Sequence, residues 1–552
     1  MNKLMKAKIV YFCAYFMYSS NKEEIMKNKQ IRNSIFTLIF AGIVFYVMIP
    51  PLNIQSMLFW FYVAMVVIFA VVLTVFSSVK EIVTFKFHLS KAWSVPILLV
   101  LLALGINLFY SPVINANIYS KRITVQEDGD FVEDVSAVDF NSLPLLDKDS
   151  SSKLGDRVMG QMPELVSQFS VSELYTQINY NNRVVRVTPL EYNGVIKYFT
   201  NRSNGVKGYI TVDSVDGSTN LVKLEKGMKY VPSALFNENL YRKLRFQYPT
   251  AIFGEENFEL DEQGNPYWVV PVLKYKGIEL LEDVKGAVIL DPITGKSTYY
   301  SVDEVPTWVD HVYPSSLLIE QANDWGKYRN GFINSIIGQK NVVATTTGYN
   351  YIAKDDDIYL YTGITSATAD EANIGFILSN LRTKQTIFYS VPGATETSAM
   401  ESAKGQVQQM SYNASFPLLI NLNNKPTYLI SLKDNAGLVK MYAFVDVADY
   451  QKVVVSDASD GIEKAAQNYI GNDDVQIDTT NMKEKEITIA SITSSTINGN
   501  TYYYIQDQES KKYRVKISVD EKNIPFIKTG DTLKIQYLVE EEVTEIMQIK
   551  DQ

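Results

Sequence analysis

The chain has one cysteine, Cys13, and two histidines among its 552 residues. A single thiol excludes disulfides within the chain, and it excludes thiolate ligands and cysteine nucleophiles after Cys13. Only His311 lies beyond residue 110, so zinc sites with several histidines are excluded there. No Gly-x-Ser-x-Gly elbow accompanies Asp310 and His311, which we interpret as a packed residue pair rather than part of a catalytic triad. We therefore predict no catalytic residues, no cofactor and no metal site.

Basic residues are outnumbered by acidic residues in most of the chain. The first 120 residues carry 10 Lys and Arg against 3 Asp and Glu, whereas the rest carries 42 against 58. A net-acidic region repels phosphate backbones, so nucleic acid is excluded as a partner. Hydrophobic residues make up 46% of the chain, which is enough for folded cores. Export without disulfides favours a Gram-positive cell surface.

Three long apolar runs lie near the N-terminus, at 34–52, 57–76 and 92–110. Runs of this length are stable in a bilayer as helices, which pair their own backbone groups. None contains an ionisable side chain, so they predict an anchor and disfavour a transport path. Basic residues at 27–32 and 80–91 favour the cytoplasm, which places the chain after residue 110 outside the cell. The alternative is a cleaved signal peptide followed by apolar core helices.

The remaining chain divides by composition. The polar, acidic stretch after the third run predicts a stalk or linker. The predicted organisation is a cytoplasmic N-terminus (1–33, of which 1–25 is either an interfacial piece or a wrongly assigned start), three transmembrane helices (34–110), a stalk (111–160), four α+β units (161–460), a linker (461–482) and a small β-barrel (483–552).

A hairpin with an Asp or Asn in its turn recurs four times in the predicted units. The four hairpins begin at Gly208, Gly286, Gly375 and Gly437. Helices are expected before them at 163–179, 232–248, 314–337 and 394–410. A helix over a small antiparallel sheet buries strands of this kind, so the pattern predicts tandem helix-on-sheet units.

Five short strands are predicted in the C-terminal region. They lie at 486–493, 501–507, 513–519, 532–539 and 543–550. Regular short strands with turn residues between them favour a small closed barrel, most like an OB-fold. The fold class is thus a membrane-anchored α+β protein with a C-terminal OB-like barrel.

Two short motifs suggest chemistry only superficially. Ser150-Ser-Ser-Lys153 and Lys528-Thr-Gly530 have the spacing found in penicillin-interacting enzymes, but the first lies in the predicted linker and the second in a barrel turn. Lys354-Asp-Asp-Asp357 has the composition of a calcium loop, yet it leads directly into a strand, which favours a solvated turn.

One stretch concentrates the residue types that dominate binding interfaces. Aromatic side chains and arginine form most interface hot spots, so we predict a binding site there. Its members are Trp308, Tyr313, Trp325, Tyr328, Arg329 and Phe332. The alternative is that they form the core between the second and third units.

Residues 160–455 resemble a family of uncharacterised Firmicute membrane proteins. The resemblance lies in the runs WVDHVYPSSLLIEQANDWGKYRNGFINSIIGQKNV, SAMESAKGQVQQMSYNASFPLL and LKDNAGLVKMYAFVDVADYQKV. It implies an N-terminal membrane segment and a long exported portion, with no assigned activity. The second unit, ending in Ala287-Val-Ile-Leu-Asp-Pro-Ile-Thr-Gly295, is similar to PepSY domains. That similarity implies a module that binds or inhibits peptides or peptidases, although the fourth unit lacks the turn glycine.

These observations predict a non-enzymatic bacterial plasma-membrane protein with an extracytoplasmic binding or scaffolding region in the cell envelope. Its expected partners are the lipid bilayer and envelope proteins or cell-wall material. A regulator or inhibitor of a surface peptidase, and an envelope hydrolase acting on peptidoglycan, are the alternatives.

Overall fold

The computed structural model describes residues 29–78, 97–98, 100–140, 142–366, 369–470, 483–497, 500–520, 522–537 and 543–550. Three predicted features lie outside these residues: the leader at 1–25, the lysine-bearing loop at 80–91 and most of the linker at 461–482.

Two N-terminal helices are long and apolar enough to cross a membrane. They are α1, Lys29–Met48, and α2, Met57–Ser78, and they form a hairpin in which Phe40 stacks on Phe69 at 3.9 Å between ring centroids. Helix α3, Val100–Tyr110, meets α4, Pro112–Tyr119, at a bend of 45°. The described residues therefore contain two helices that are long and apolar enough to cross a membrane, or three if the bent pair counts as one span, and the α+β class agrees with the prediction.

The segment after the anchor is packed, which differs from the predicted stalk. Strand β1, Val125–Gly129, pairs in parallel with a strand of the third unit, and α5, Phe131–Asp134, buries Phe131 in a core that the fourth unit shares. Helix α6, Lys148–Gly160, covers the first sheet. Composition misled the prediction because several of the polar residues cap helices, as Asp130 does for α5.

Four sheets follow, and the first two belong to units one and two. The first unit contains α6, α7 (Pro163–Val166), β2 (Phe169–Val171), β3 (Thr176–Tyr180), β4 (Arg183–Tyr192), α8 (Val195–Asn201), β5 (Val206–Asp213) and β6 (Thr219–Met228). The second contains α9 (Leu240–Gln247), β7 (Ile252–Phe253), β8 (Asn257–Leu260), β9 (Pro266–Lys276), β10 (Leu280–Leu290) and β11 (Ser297–Ser301).

The other two sheets belong to units three and four. The third unit contains α10 (Ser315–Tyr328), β12 (Val343–Thr345), β13 (Asn350–Lys354), β14 (Asp357–Ser366), β15 (Ala369–Asn380), β16 (Thr386–Tyr389) and β17 (Gly393–Ala394). The fourth contains α11 (Glu396–Gln406), β18 (Asn413–Ala414), β19 (Leu418–Leu422), β20 (Lys425–Lys433), β21 (Val439–Asp446), β22 (Val453–Asp457) and α12 (Ile462–Ile470).

The four sheets have one topology. In each, the first two short strands pair with the third strand, which continues as an antiparallel meander through the fourth and fifth strands. Three expected helices overlap α9, α10 and α11, but the helix expected at 163–179 is wrong, because β2 and β3 occupy that stretch. Its place is taken by α6, and α12 occupies residues that were assigned to the linker.

The repeated turns share their chemistry. Asp213, Asp291, Asn380 and Asp446 each accept hydrogen bonds through Oδ1 from the backbone N–H groups two and three residues later. A glycine lies five residues before each of the first three turn residues, at Gly208, Gly286 and Gly375. If any of these glycines were replaced by a residue with a Cβ atom, that atom would overlap a carbonyl oxygen of the next strand. In the fourth unit this position is Met441, whereas Gly437 lies in the preceding turn.

Neighbouring units share their cores. On β10, Val288 and Leu290 face the core between units one and two, whereas Ala287 and Ile289 face the core between units two and three. A third core joins units three and four. Because the two inner sheets are buried on both faces, their strands read as continuous apolar runs.

The C-terminal region forms a separate, strongly curved sheet of six strands with its own core. Its strands are β23 (Lys483–Ile497), β24 (Asn500–Asp507), β25 (Lys512–Lys516), β26 (Thr532–Tyr537), β27 (Val543–Glu545) and β28 (Gln548–Lys550). The last segment pairs in parallel with β25 through β27 and antiparallel with β26 through β28. All five predicted strand positions contain strands, and the fifth is split in two.

Candidate functional site

The predicted aromatic site is mostly interior. Trp308 and Tyr313 pack in the core between units two and three, where Trp308 lies 5.2 Å from the ring of Tyr267. Trp325 and Tyr328 lie on α10 and are each 8% exposed. These side chains do not form one exposed hot spot; their placement corresponds to the core alternative.

Arg329 and Phe332 connect this core to the surface. The guanidinium of Arg329 lies 4.8 Å from the ring of Trp325, and its Nη2 donates to Glu127 Oε1 at 2.7 Å. Phe332 stacks on Tyr328 with 18° between the ring planes. Arg329 lines a cleft near the end of α10.

This cleft has a volume of about 730 Å³ and lies beside the C-terminal end of α10. Its lining is mainly polar. The lining residues are Arg329, Asn330, Gln339, Lys340, Asn341, Val342, Val343, Ser366 and Ile374. Lys340 is exposed and forms no ion pair with a described residue, so one cation at this cleft keeps its charge uncompensated.

The loop that edges the cleft has a fixed conformation. A single turn of π-helix, Asn334–Gly338, is closed by the bond from Gln339 N to the Asn334 carbonyl at 2.7 Å. The Nδ2 atoms of Asn330 and Asn334 both donate to the Lys340 carbonyl, at 2.9 and 3.0 Å. These bonds hold the loop in place without packing its apolar side chains.

Three isoleucines on this loop are exposed. Ile333, Ile336 and Ile337 are 72%, 59% and 81% exposed. Sequence reasoning missed them, because helical spacing of apolar residues after Phe332 predicts a core-facing helix. A signal was present in Gly331 and Gly338, which bound this stretch and mark the end of regular helix.

The end of α10 adjoins the end of the apolar helix α3. Tyr119 on α4 contacts Tyr328 edge-to-face at 5.8 Å, and its hydroxyl donates to the Tyr110 carbonyl at 3.1 Å. Tyr119 and Tyr328 belong to a small buried cluster, and Tyr110 and Phe332 both pack against it. Arg122 then fixes α4 to α10 by ion pairs with Glu320 and Asp324. The loop that carries Ile333, Ile336 and Ile337, which we call the isoleucine loop, therefore begins near Tyr110, the last residue of α3.

The hairpin tip between β9 and β10 contacts both the loop between α1 and α2 and the end of α3. Gln55, in the loop between α1 and α2, accepts from Glu279 N at 3.0 Å and donates to the Tyr275 carbonyl at 2.5 Å. Asn107 on α3 donates to the Ile278 carbonyl and accepts from its N–H at 3.2 and 2.8 Å. The α1–α2 loop and the end of α3 therefore lie on the same side of the anchor as the four units.

A buried arginine strengthens this attachment. Arg245 on α9 donates to the carbonyls of Ile49 and Ala251, at 2.9 and 2.5 Å. Burial lowers the pKa of Arg245 to about 10, which leaves it charged at neutral pH. With the carbonyls of Tyr248 and Pro249, four backbone carbonyls accept from this guanidinium. This is a favourable arrangement, because each hydrogen bond from a charged group is stronger than a neutral one.

An acidic pair lies buried where the first three units meet. Glu259 accepts from the N–H groups of Asp310 and His311, at 2.8 and 3.1 Å, and Asp310 accepts from Asn179 N at 2.8 Å. Burial raises the pKa of Glu259 to about 7. Burial and the Glu259 charge raise the pKa of Asp310. Both carboxyls are buried, and their hydrogen bonds connect residues of different units.

His311 is part of the same interior. Its Nε2 lies 2.7 Å from the Gln177 carbonyl, and its ring meets Tyr351 edge-to-face. Burial lowers the pKa of His311 to about 4, so the ring is neutral at physiological pH. The interpretation of His311 as a packed, hydrogen-bonded residue agrees with this placement.

The Ser-x-x-Lys motif lies on a helix, which differs from the predicted linker. Ser150 on α6 is buried, and its Oγ donates to the Gly437 carbonyl at 3.3 Å. Lys153 Nζ donates to the Ala436 carbonyl at 2.5 Å. Both side chains thus bind the turn before β21, and they hold α6 against the fourth unit.

Asp357 is also structural. Its carboxylate accepts from Arg382 Nε and Nη2, both at 2.7 Å, and from Asn380 Nδ2 at 2.8 Å.

Within the part of the chain that the structure describes, no group of three or more His, Cys, Asp and Glu side chains has a metal-binding arrangement. Comparison of the chain with protein-family models and with curated proteins finds no match.

Proposed function

We propose that this chain is a bacterial plasma-membrane protein whose four units and C-terminal barrel form a non-enzymatic binding or scaffolding region outside the cell. The observation that supports this proposal is the attachment of the β9–β10 hairpin tip to Gln55 and Asn107. A rigid attachment to apolar helices keeps the large body at the membrane surface, which suits a platform for envelope proteins or cell-wall material.

The orientation follows from charge. Lys27, Lys29 and Arg32 precede the apolar run at 34–52, and Lys80, Lys86 and Lys91 precede α3, whereas the turn at 53–56 is uncharged. Lysine and arginine accumulate on the cytoplasmic side of membrane proteins. With three crossings, the uncharged turn and the four units lie together on the outer side.

Cysteine labelling in whole cells tests this orientation. Cys13→Ser removes the native thiol, and Asn435→Cys and Lys86→Cys then place single thiols in the fourth unit and in the lysine-bearing loop. A membrane-impermeant maleimide should label Asn435→Cys in intact cells and Lys86→Cys only after lysis. Labelling of Asn435→Cys only after lysis would contradict the proposal.

The enzymatic alternative has its own test. Zymography of the purified full-length protein on peptidoglycan should give no clearing zone. A clearing zone would identify an envelope hydrolase and overturn the non-enzymatic assignment.

A regulator of a surface peptidase is the second candidate. The four Asp or Asn turns with a shared hydrogen-bond pattern favour it, because such turns also end PepSY-like hairpins. Purified full-length protein should then inhibit a peptidase that is cross-linked to it in cells. Unchanged peptidase activity with the protein in excess would remove this candidate.

We also infer that the C-terminal sheet is an OB-like barrel. Support comes from the last segment, which pairs with β25 on one side and with β26 on the other. The charged side chains of Glu484, Lys534 and Lys550 form ion pairs on its surface, which indicates a solvated module.

A further inference from the structure

We propose that the isoleucine loop and the cleft beside it form a phospholipid-binding site. Ile333, Ile336 and Ile337 insert into the outer leaflet, and the cleft with Arg329 and Lys340 holds an anionic lipid head group. This inference rests on the proposed membrane anchoring and adds a second, peripheral contact with the bilayer.

Position is the first argument. Phe332 packs against the same cluster as Tyr110, which is the last residue of α3. The end of an apolar span lies at the membrane interface, where aromatic side chains such as Tyr110 are enriched. Ile333 follows Phe332 directly, so the exposed isoleucines continue the apolar surface of the anchor at the level of the head groups.

Shape is the second argument. Exposed apolar side chains cost little when scattered, but three isoleucines on one turn form a patch. The bonds from Asn330 and Asn334 to the Lys340 carbonyl keep this turn closed, so the patch cannot fold back into the core. A rigid turn loses little conformational entropy when it inserts, which favours the inserted state.

Charge is the third argument. Lys327 lies 5.4 Å from the Tyr328 ring, and Arg329 and Lys340 line the cleft. Glu127 pairs with Arg329, so the described ion pairs leave Lys327 and Lys340 uncompensated. Basic residues next to an inserted apolar patch attract anionic lipids by about 1 kcal/mol each.

A second set of exposed apolar side chains lies near the end of α1. On α8, Ile196 is 76% exposed and Phe199 contacts Phe236 at 6.2 Å. Phe246, on α9, contacts Tyr46 near the end of α1. Exposed apolar side chains therefore lie near the ends of both α1 and α3, as expected of a body that rests on a bilayer.

Depth measurement in nanodiscs tests insertion. The full-length Cys13→Ser protein carries Ile337→Cys with an environment-sensitive fluorophore, in an equimolar mixture of phosphatidylcholine and phosphatidylglycerol. We expect blue-shifted emission that is quenched by brominated acyl chains. The same label at Asn435→Cys, in the fourth unit, should stay unquenched.

An unquenched label at 337 would overturn the inference. Disulfide formation between two unlabelled Ile337→Cys copies, together with an unquenched label, would assign the patch to a dimer instead. If Ile337→Cys lowers the yield of folded protein, Ile333→Cys provides the second position. Failure of the protein to enter nanodiscs would contradict the anchor itself, which distinguishes the two proposals.

Lipid selectivity tests the cleft. Native mass spectrometry of the full-length protein should show bound phosphatidylglycerol in preference to phosphatidylcholine, and Lys340→Gln should reduce this preference about fivefold, the effect of one charge near the surface. Lys425→Gln, which removes an exposed lysine in the fourth unit, is the matched control. Equal lipid loss in both variants, or displacement of the lipid by free glycerol phosphate, would overturn the lipid assignment.

Discussion

The second and fourth units have the same strand order but reach it with different residues. At equivalent positions, Trp268 and Tyr428 are fully buried and donate to carbonyls of the segments before their helices, Tyr230 and Ala394, at 2.9 and 3.0 Å. One side chain is an indole and the other a phenol. In these two units a large buried donor therefore reaches the segment before the helix. The third unit has Leu360 at the equivalent position, so the donor is not required by the topology.

The strand glycine shows the opposite case. Gly286 has no room for a Cβ, because the Tyr300 carbonyl oxygen approaches its Cα. The equivalent residue of the fourth unit is Met441, which pairs with Asp457 in a regular ladder. The same topology therefore does not require glycine, and the requirement arises from the close approach of β11 in the second unit.

The largest expected effect in this comparison comes from Gly286→Ala. We expect a loss of about 4 kcal/mol in the free energy of unfolding, since a backbone carbonyl cannot rotate away from the added methyl group. Chemical denaturation of the full-length protein in detergent, followed by tryptophan fluorescence, measures it. Gly405→Ala on α11, where nothing lies within 4 Å, is the control and should stabilise slightly. Equal effects of the two would contradict the close-approach argument.

The next largest change in the free energy of unfolding is expected at Glu259, the buried acid of the second unit. The pKa of Glu259 is about 7 in the folded protein against an ordinary 4.5, so the folded state binds the extra proton and this contribution to stability falls as pH rises through that window. Relative to the wild type, Glu259→Gln should gain roughly 3 kcal/mol between pH 4.5 and pH 7.5. The Glu259 charge also raises the pKa of Asp310, so this gain belongs to the carboxyl pair, whereas His311 is present in both proteins.

Denaturation midpoints of both proteins across this pH range measure the difference. A difference that stays constant with pH would show that Glu259 is ionised in the folded state throughout.

The identity of the turn residue sharpens the comparison further. The third unit has Asn380 where the others have Asp, and its Nδ2 donates to the buried Asp357. Asn380→Asp should cost about 2 kcal/mol at neutral pH, because two carboxylates would then share Arg382. Asp291→Asn keeps the oxygen that accepts from Ile293 N and should change the unfolding free energy by less than about 0.5 kcal/mol. Equal costs in thermal unfolding would refute this account.

Apart from the control variants, the smallest change in the free energy of unfolding is expected from Met441→Gly. This variant gives the fourth unit the glycine of the other three and should cost about 1 kcal/mol, from lost packing and greater freedom of the unfolded chain. A gain in melting temperature would mean that the fourth unit is strained at Met441.

Local chemistry explains which elements were predictable. The hairpins at Gly208, Gly286 and Gly375 and the five barrel strands were predicted because alternation and turn residues are local signals. The helix expected at 163–179 was wrong, since the unit takes its helix from the polar stretch before it. Residues such as Ser150 looked solvated, and their burial depends on long-range bonds to the fourth unit.

The site was less predictable than the fold. Trp325 and Tyr328 were rightly noticed as large aromatic residues, but whether they face a partner or a core depends on how units two and three pack together. Ile337 and its neighbours had the spacing of a buried helix, and only the turn of π-helix leaves them outside. Arg329 is the predicted residue that lines the cleft.

In the proposed membrane orientation, the hairpin tip at 275–279 also determines how mechanical load reaches the bilayer. A pull on the outer units is divided between the covalent connection at Tyr110 and the transverse bonds to Gln55 and Asn107. Load shared over separate helices resists tilting of the body against the membrane. Tension on the four units would then act on the N-terminal helices together, rather than on the single covalent connection at Tyr110.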